Sequence, residues 1–394
     1  LLQGLAQVDV GQRQYRPAIA GAVVGAAIDP GIARFKSHRR PVDVGLRLAL
    51  HRPGALEIHA PPLDQFGLEE IRRLLVTHLV LAAAVLRAVL AWLVRRRGRS
   101  LATAASEGLV EGFEQLGPTF VKFGQLIASS PSLFPAPLAD ACLRTLDEVR
   151  PFPPETVRAL IAEELGRPAG QIFRHFDDVP LSAASIAQVH ACTLPDGREA
   201  VIKLQRPDIA HRMNTDLRIQ YFFATRLLNR FEVGRRANVV AMVEDLHEVT
   251  NQELNAALEA HRQTRFREGI GHFGDNTGIT APEIYWDYCG PHLICMERMS
   301  GVPMDSFDVI AEREVDGELV LRRGIKVWIE AALVHGPFHG DVHAGNLWVL
   351  DDGRGTYLDF GIMGELPDLW KQTLRDILYT SMIDQDYRRV VTAY

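Results

Sequence analysis

The sequence predicts an α+β fold, and three features of its pattern support this prediction. Apolar residues recur at helical spacing after residue 65, the period changes to that of strands around residues 180–205, and a hairpin pattern follows near residue 350. At 394 residues, the chain can hold two or three domains with a sizeable core. Its hydrophobic content of 47% and charged content of 23% are ordinary for a globular protein.

Charge and cysteine usage argue against several classes of function. The net charge of −6 gives no reason to expect a basic surface, so we expect no nucleic acid partner. The 14 histidines do not form a metal-binding pattern such as His-Glu-x-x-His. Four cysteines without a Cys-x-x-Cys pair predict reduced core residues of a cytoplasmic-type protein. They are Cys142, Cys192, Cys289 and Cys295.

The first hundred residues divide into two segments. Residues 1–65 keep no regular period, so we assign them no function and interpret them as an extension that could be unstructured. Residues 66–99 contain a 19-residue apolar run at 76–94, which is long enough for a membrane span. Arg87 near its centre would cost about 2.5–3.5 kcal/mol, which the Leu and Val residues of the run could offset. A spanning helix, an interfacial helix and a helix packed on the protein therefore all stay open.

Residues 100–166 are predicted to be helical. Gly117-Pro118 breaks one helix and starts the next, because Pro is tolerated in a first helical turn. Gly166 is a plausible end for a later helix. Apolar residues at helical spacing support both parts, namely Leu109, Phe113 and Leu116 before the break, and Val157, Leu160, Ile161 and Leu165 before Gly166.

Residues 180–207 read as strand, Pro-Asp-Gly turn and strand. Lys203 ends an Ala-Val-Ile-Lys run, the pattern by which protein kinases direct a lysine to the α- and β-phosphates. Where kinases have a glycine-rich loop, this chain has small residues that add Cβ atoms and disfavour positive φ. We predict that this loop covers a nucleotide through Ala183, Ala184, Ser185 and Ala187.

Two further segments complete the predicted nucleotide site. Residues 208–273 are mostly helical, and a kinase needs a helix-borne glutamate to orient its strand lysine. Glu259 is our first choice for this role and Glu253 our second. Residues 279–299 read as short strands ending in Met-Glu-Arg-Met, where the backbone around Glu297 and Met299 would hydrogen-bond to adenine.

The most specific pattern is HGDVHAGNLWVLDDGRGTYLDFG at residues 339–361. Two apolar runs joined by Asp-Asp-Gly-Arg-Gly predict a hairpin, which would bring Asn346 close to Asp359. Two oxygen donors there suit Mg²⁺, and Asp341 lies just upstream as a base or positioning group. This is the protein-kinase arrangement of catalytic loop and metal aspartate. A helix is predicted near Pro367, but no Ala-Pro-Glu follows, so the C-terminal lobe looks incomplete and shows no peptide-docking platform.

From about residue 101 to the end, the chain resembles the UbiB family of atypical kinases, also named AarF. Lys122-Phe123-Gly124-Gln125 matches the family's Lys-x-Gly-Gln signature, and residues 182–190 match its alanine-rich loop. Glu253 and Glu259 match its Glu-x-Asp and helix glutamate. Asn255 departs from the usual Asp of Glu-x-Asp, which weakens any pairing of that position with Lys122. Ser182 stands where alanine is common.

The resemblance implies a two-lobed protein-kinase-like fold, with an N-terminal helical extension at 100–166 covering the active site. The lobes would comprise residues 167–299 and 300–394. ATP and Mg²⁺ would be cofactors, with Lys122, Gln125 and Glu253 in regulatory roles. The resemblance also implies membrane association, for which we expect the cytoplasmic side, and support of ubiquinone or related quinone biosynthesis. Quinone-pathway proteins, and a quinone precursor or a lipid, would then be partners.

Three functions fit these residues. The first is an ATPase or a small-molecule or lipid-directed kinase. The second is a nucleotide-binding scaffold for quinone-pathway proteins, which the alanine loop and the missing peptide platform favour. The third is an aminoglycoside- or choline-type phosphotransferase, which shares the His-Gly-Asp-x-His-x-x-Asn loop. The Lys-x-Gly-Gln motif and the long helical segment before the strands argue against the third.

Overall fold

The computed structural model divides the chain into two units, residues 1–42 and 43–394, and the described residues all belong to the second. They are 53–58, 60–95, 100–129, 134–145, 151–226, 230–232, 235, 238–272, 274–384 and 388. Most of the unassigned extension at 1–65 therefore lies outside the described residues. Its last part contains a short 3₁₀ helix, Pro53–Leu56, whose Ala55 and Leu56 pack against the core of the first lobe.

The helical extension begins with a tightly packed helix pair. Gly108 and Gly112 allow the close approach, because a Cβ on Gly108 would lie 2.7 Å from the Ala88 Cβ and 2.9 Å from the Val85 Cα. The predicted break at Gly117 is confirmed, with φ at +104°. The helices are α1 (Leu68–Arg95), α2 (Leu101–Leu116), α3 (Pro118–Ser129) and α4 (Ala136–Thr145), followed by α5 (Pro154–Leu165) and α6 (Ala169–Ile172).

The first lobe combines a four-stranded antiparallel sheet with helices. Its elements are β1 (His175–Ala183), β2 (Ala187–Thr193), β3 (Glu199–Gln205), α7 (Ile209–Arg226), α8 (Val239–Glu253), α9 (Ala256–His272), β4 (Ile279–Thr280) and β5 (Leu293–Glu297). The sheet order is β1-β2-β3-β5. The stretch predicted as one strand before the Pro-Asp-Gly turn is two strands, because the Ala184 N–H donates to the Ala187 carbonyl at 2.9 Å and turns the chain.

The core of this lobe lies between the sheet, α5 and α9. Ile161 from α5, Ile202 from β3 and Leu293 from β5 are fully buried in it, together with Ala257 and Ala260 of α9. The small side chains of α9 let this helix lie close to the sheet. This packing fixes the position of Glu259, which lies on the same helix.

The second lobe is built around the predicted hairpin, which is confirmed. Its elements are β6 (Gly301–Pro303), α10 (Phe307–Glu312), α11 (Gly317–Glu330) with a π-helical turn (Ala331–His335), β7 (Phe338–His339), β8 (Leu347–Leu350), β9 (Gly355–Tyr357), β10 (Met363–Gly364) and α12 (Asp368–Tyr379). One sheet has the order β4-β9-β8-β6, and β7 pairs with β10. Since β4 precedes residue 299, the second sheet crosses the lobe boundary predicted from the sequence.

Helix α1 is anchored at one end and exposed along much of its length. Arg73 donates to Asp216 at 2.7 Å and Arg218 donates to Glu70 at 2.7 Å, so two ion pairs of opposite polarity join its first turns to α7. By length and composition it could cross a membrane, with a mean hydropathy of 2.2 and only 11% of its most apolar window buried. These properties leave a spanning and an interfacial helix both open.

Candidate active site

Lys203 lies at the centre of the candidate site. Its Nζ donates to Glu259 Oε1 at 2.7 Å and to Asp359 Oδ1 at 3.0 Å. The lysine comes from β3, the glutamate from α9 and the aspartate from the turn after β9. The Lys203 and Glu259 side chains are 19% and 3% exposed, whereas that of Asp359 is 53% exposed to solvent. Three residues predicted from separate motifs are therefore in direct contact, and Glu259, our first choice, is the helix glutamate that contacts Lys203.

The charges of this cluster depend on one another. Burial opposes the charged form of Lys203, but the carboxylates of Asp359 and Glu259 outweigh burial and raise the pKa of the lysine. The Lys203 ammonium in turn lowers the pKa of Asp359 to about 2. Burial raises the pKa of Glu259 despite the attraction of Lys203. Asp359 and Lys203 are therefore both ionised at neutral pH, and their pairing is lost only as the pH falls from about 4 towards 2.

The hairpin brings the two predicted metal residues to the same end of β8 and β9. Leu347 pairs with Tyr357, and the Leu358 N–H donates to the Asn346 carbonyl at 2.8 Å. The Asn346 amide donates its Nδ2 to the Asp341 carbonyl at 3.1 Å, which leaves its side-chain oxygen as an acceptor. Asp359 has a φ of +59°, uncommon for a residue other than glycine, and accepts from the Gly361 N–H at 3.3 Å.

These donors fit a hard divalent cation. Magnesium is usually held by one or two carboxylates plus phosphates and water, so an amide oxygen and one carboxylate are sufficient protein ligands. Among the described residues, no group of three or more His, Cys, Asp or Glu side chains is arranged to hold a metal ion.

His339 is a functional residue that sequence reasoning missed. It is fully buried, which lowers its pKa and keeps the ring neutral. Its Nδ1 accepts from the Asp341 N–H at 3.2 Å, so its Nε2 donates to the Leu358 carbonyl at 2.9 Å. It therefore connects the segment carrying Asp341 to the residue before Asp359. Asp341 itself is 54% exposed, so its carboxylate is accessible to solvent.

The alanine-rich loop is closed by a residue that the sequence did not single out. The Ala184 carbonyl accepts from Arg206 Nε at 3.1 Å and from its Nη2 at 3.0 Å. Ile186 in the same loop is buried against Ile209 and Met213 of α7. Ala184 is in the turn itself. Of the other three predicted loop residues, Ala183 ends β1, Ala187 begins β2 and Ser185 lies half-buried between them.

The predicted adenine segment follows β5. The Glu297 N–H already donates to the Glu283 carbonyl at 2.8 Å, and the Glu297 carboxylate accepts from Arg267 at 3.1 Å. Met299 lies just beyond the strand. The Arg298 N–H also donates to the Glu199 carbonyl, at 3.3 Å, so an adenine base here would have to use backbone groups of residues 297–299 other than these two amides.

The predicted regulatory residues lie on α3 and at the end of α8. Lys122 of α3 forms an ion pair with Glu253 at the end of α8, and both side chains are about 15% exposed. Gln125 lies on the exposed side of α3. Asn255 does not take the place of an acid beside Lys122. Its Oδ1 accepts from the Leu258 N–H at 2.9 Å, and its Nδ2 donates to the Ala55 carbonyl at 3.0 Å.

Comparisons with known proteins agree with this geometry. A profile of the family described as ABC1 atypical kinase-like domain matches residues 144–394. An uncharacterized protein of Mycobacterium tuberculosis is 37% identical over 279 residues, covering 71% of this chain and 57% of that protein. A probable protein kinase UbiB of Erwinia tasmaniensis is 36% identical over 282 residues, covering 70% of this chain and 51% of the relative. The chain thus spans about half the length of the curated relatives it matches.

A solved structure also matches this chain. It is the complex of Rv3197 from Mycobacterium tuberculosis with erythromycin. The match covers 68% of this chain and 67% of that chain, with 25% sequence identity and a TM-score of 0.45.

Proposed function

Because the chain belongs to the family of ABC1 atypical kinase-like domains, we propose that it binds ATP with Mg²⁺ and acts as an ATPase or a small-molecule or lipid-directed kinase. Its membership of this family, with relatives named UbiB and AarF-domain kinases, confirms the resemblance and the kinase-like fold expected from the sequence. One observation carries the proposal, namely the contact of Lys203 with both Glu259 and Asp359 beside Asn346.

Each residue of the cluster has a distinct role in this proposal. Lys203 would hold the α- and β-phosphates, with Glu259 fixing its orientation. Asn346 and Asp359 would hold Mg²⁺, which neutralises phosphate charge when bound. Asp341 would orient the hydroxyl or water that attacks the γ-phosphate and accept its proton. His339 would keep the Asp341 backbone and the Asp359 turn in register through its two ring nitrogens.

The test of this proposal is Mg²⁺-dependent ATP binding and turnover. We expect Asp359→Asn to lower turnover by about 100-fold or more, because it removes the one carboxylate proposed to hold the metal. Asp352→Asn is the matched control, since this aspartate lies exposed in the hairpin turn and pairs with Arg354. Equal turnover in wild type and Asp359→Asn would contradict the proposal.

A nucleotide-binding scaffold for quinone-pathway proteins is the second candidate. The closed alanine loop, held at Ala184 by Arg206, favours it, because a loop fixed in this way limits access to the phosphates. It predicts that Asp341→Asn still binds ATP and still complements a strain lacking the gene. Loss of complementation in a folded, ATP-binding Asp341→Asn variant would count against it. The family match favours both candidates over the aminoglycoside- or choline-type phosphotransferase.

The proposed setting is the cytoplasmic face of a membrane, in support of ubiquinone or related quinone biosynthesis. The resemblance to the UbiB family implies the quinone role, and the exposed apolar side of α1 supports contact with lipid. A quinone precursor or a lipid would then be the acceptor or effector, with quinone-pathway proteins as partners.

A further inference from the structure

Arg262 lies on α9, one turn after Glu259, and its guanidinium contacts two separate segments. Its Nη1 donates to the Gly361 carbonyl at 2.9 Å, and its Nη2 donates to Gln252 Oε1 at 2.7 Å. Gly361 is the glycine of Asp-Phe-Gly, two residues after Asp359. Gln252 precedes Glu253, the partner of Lys122. One side chain therefore joins the turn that carries the metal aspartate to the corner between α8 and α9.

A second contact joins the same two segments. A Cβ built on Gly361 would lie 3.4 Å from the Glu253 Cγ and 3.4 Å from Asp359 Oδ1. The Glu253 side chain therefore lies against the Asp-Phe-Gly turn while its carboxylate pairs with Lys122. Only a hydrogen atom of Gly361 separates its Cα from the Glu253 side chain. A movement of the α8–α9 corner would therefore displace the Asp-Phe-Gly turn.

The Asp-Phe-Gly turn needs support of this kind. Asp359 adopts a left-handed conformation, which costs an L-residue energy unless its surroundings hold it there. Its carboxylate oxygen Oδ1 accepts from both Lys203 Nζ and the Gly361 N–H. Arg262 binds the Gly361 carbonyl, which belongs to the following peptide group, so it holds the turn on the side of Gly361 opposite to the N–H that contacts Asp359.

From these contacts we infer that Arg262 is a positioning residue that holds the Asp-Phe-Gly turn against the α8–α9 corner, and thereby sets the affinity of Asp359 for the metal. This inference rests on the proposed function. Arg262 touches neither nucleotide nor metal in this role. A guanidinium fork can serve two acceptors in fixed directions, whereas a lysine ammonium at the end of a flexible chain cannot reproduce that geometry.

The experiment measures the ATP dissociation constant with and without Mg²⁺, and takes the ratio as the metal effect. In Arg262→Lys we expect this ratio to fall about 10-fold, the scale found when a residue supporting a metal ligand is lost. The metal-free constant should stay within about twofold of wild type, because Lys203 and Glu259 are unchanged. Arg265→Lys is the control, since Arg265 lies on the same helix with a side chain 55% exposed.

A second variant keeps the inference testable if the unfolding temperature of Arg262→Lys is too low for the binding measurement. Gln252→Leu removes one acceptor of the fork, and we expect it to lower the metal effect in wild type but to add nothing to Arg262→Lys. Suppose that the wild type responds to Mg²⁺ and that Arg262→Lys shows the same metal effect as Arg265→Lys. This result would overturn the inference and leave the proposed function standing. A wild type that binds ATP equally with and without Mg²⁺ would overturn the proposed function together with it.

Discussion

At the residue scale, the site contains two acids and one lysine, and the lysine contacts both acids. Asp359 contacts Lys203 at 3.0 Å, so a nucleotide with its metal must compete with this contact. The low pKa of Asp359 means that the carboxylate needs no deprotonation to accept a cation at neutral pH. Competition for one carboxylate between a lysine and a metal therefore governs nucleotide binding in this account.

Lys122 provides the first prediction at this scale. Lys122→Met leaves the largely buried Glu253 carboxylate without its partner, which we expect to lower the free energy of unfolding by about 1–3 kcal/mol. The resemblance implies a regulatory role for Lys122, and we propose that it guards the site, so the same variant should turn over ATP several-fold faster. Turnover assays and denaturant melts check both effects. Lys326→Met is the control for turnover, since Lys326, which is 48% exposed, pairs with the largely buried Glu330 of α11, outside the cluster of Lys203, Glu259 and Asp359. Unchanged turnover in Lys122→Met would contradict the guarding role.

Residues that carry a motif could be predicted from the sequence, and residues that support the motif could not. Lys203, Glu259 and Asp359 were found because each lies at a characteristic position in a chemical pattern. Arg206 and Arg262 act on backbone carbonyls, which any residue type can offer. His339 begins the His-Gly-Asp-x-His-x-x-Asn loop, but its ring also contacts backbone groups. Only the fold decides which carbonyl comes within reach of which side chain, so no spacing in the sequence indicates these contacts.

At the element scale, the contact between α1 and α2 depends on glycine. Gly108→Ala gains helix propensity worth about 0.5–1 kcal/mol, but its Cβ would lie 2.9 Å from the Val85 Cα and 3.0 Å from the Ala84 carbonyl oxygen. Backbone atoms cannot give way as a flexible side chain can, and overpacking of this kind costs about 1–3 kcal/mol. We therefore expect a net loss of stability, measured by thermal or chemical unfolding.

Gly271→Ala is the matched control for this prediction. Gly271 lies near the end of α9, and a Cβ built there meets nothing within 4 Å. With no clash to offset the gain, we expect this variant to be as stable as wild type or more stable by up to about 1 kcal/mol. If both variants shift stability in the same direction, the close packing of α1 on α2 is not what Gly108 provides.

Local signals predicted most elements and missed the pairings between distant ones. Gly117-Pro118 and Gly166 marked helix ends because they act within a single turn of chain. The Asp-Asp-Gly turn marked the hairpin for the same reason. The parallel pairing of β4 with β9 joins residues far apart in sequence, and the turn at 184–186 depends on a bond between two alanines. Neither has a distinctive composition.

At the scale of the whole molecule, α1 is the surface where lipid contact is expected. Four leucines of this helix have side chains that are at least half exposed, namely Leu75 (61%), Leu79 (70%), Leu86 (57%) and Leu90 (51%). We expect the protein to co-float with vesicles containing anionic lipid, and Leu79→Glu with Leu86→Glu to reduce the bound fraction at least about 10-fold, since each leucine contributes about 1.5–3 kcal/mol when buried.

The control for vesicle binding is Leu369→Glu. Leu369 is 68% exposed but lies on α12, away from the apolar helix. Its substitution should leave the bound fraction unchanged. Equal flotation of wild type and the double α1 variant would remove the lipid contact from the account, while leaving the nucleotide site unaffected.

The central claim is that β3, α9 and the hairpin turn together form one site for ATP and its metal. Labelling with a lysine-reactive acyl-phosphate derivative of ATP tests this claim most directly, because the reagent modifies only a lysine held beside bound phosphates. Mass spectrometry of the digested protein then identifies the modified residue. The account predicts that Lys203 is the labelled lysine and that excess ATP with Mg²⁺ protects it. Failure to label Lys203, or labelling that excess ATP with Mg²⁺ does not reduce, would contradict the account.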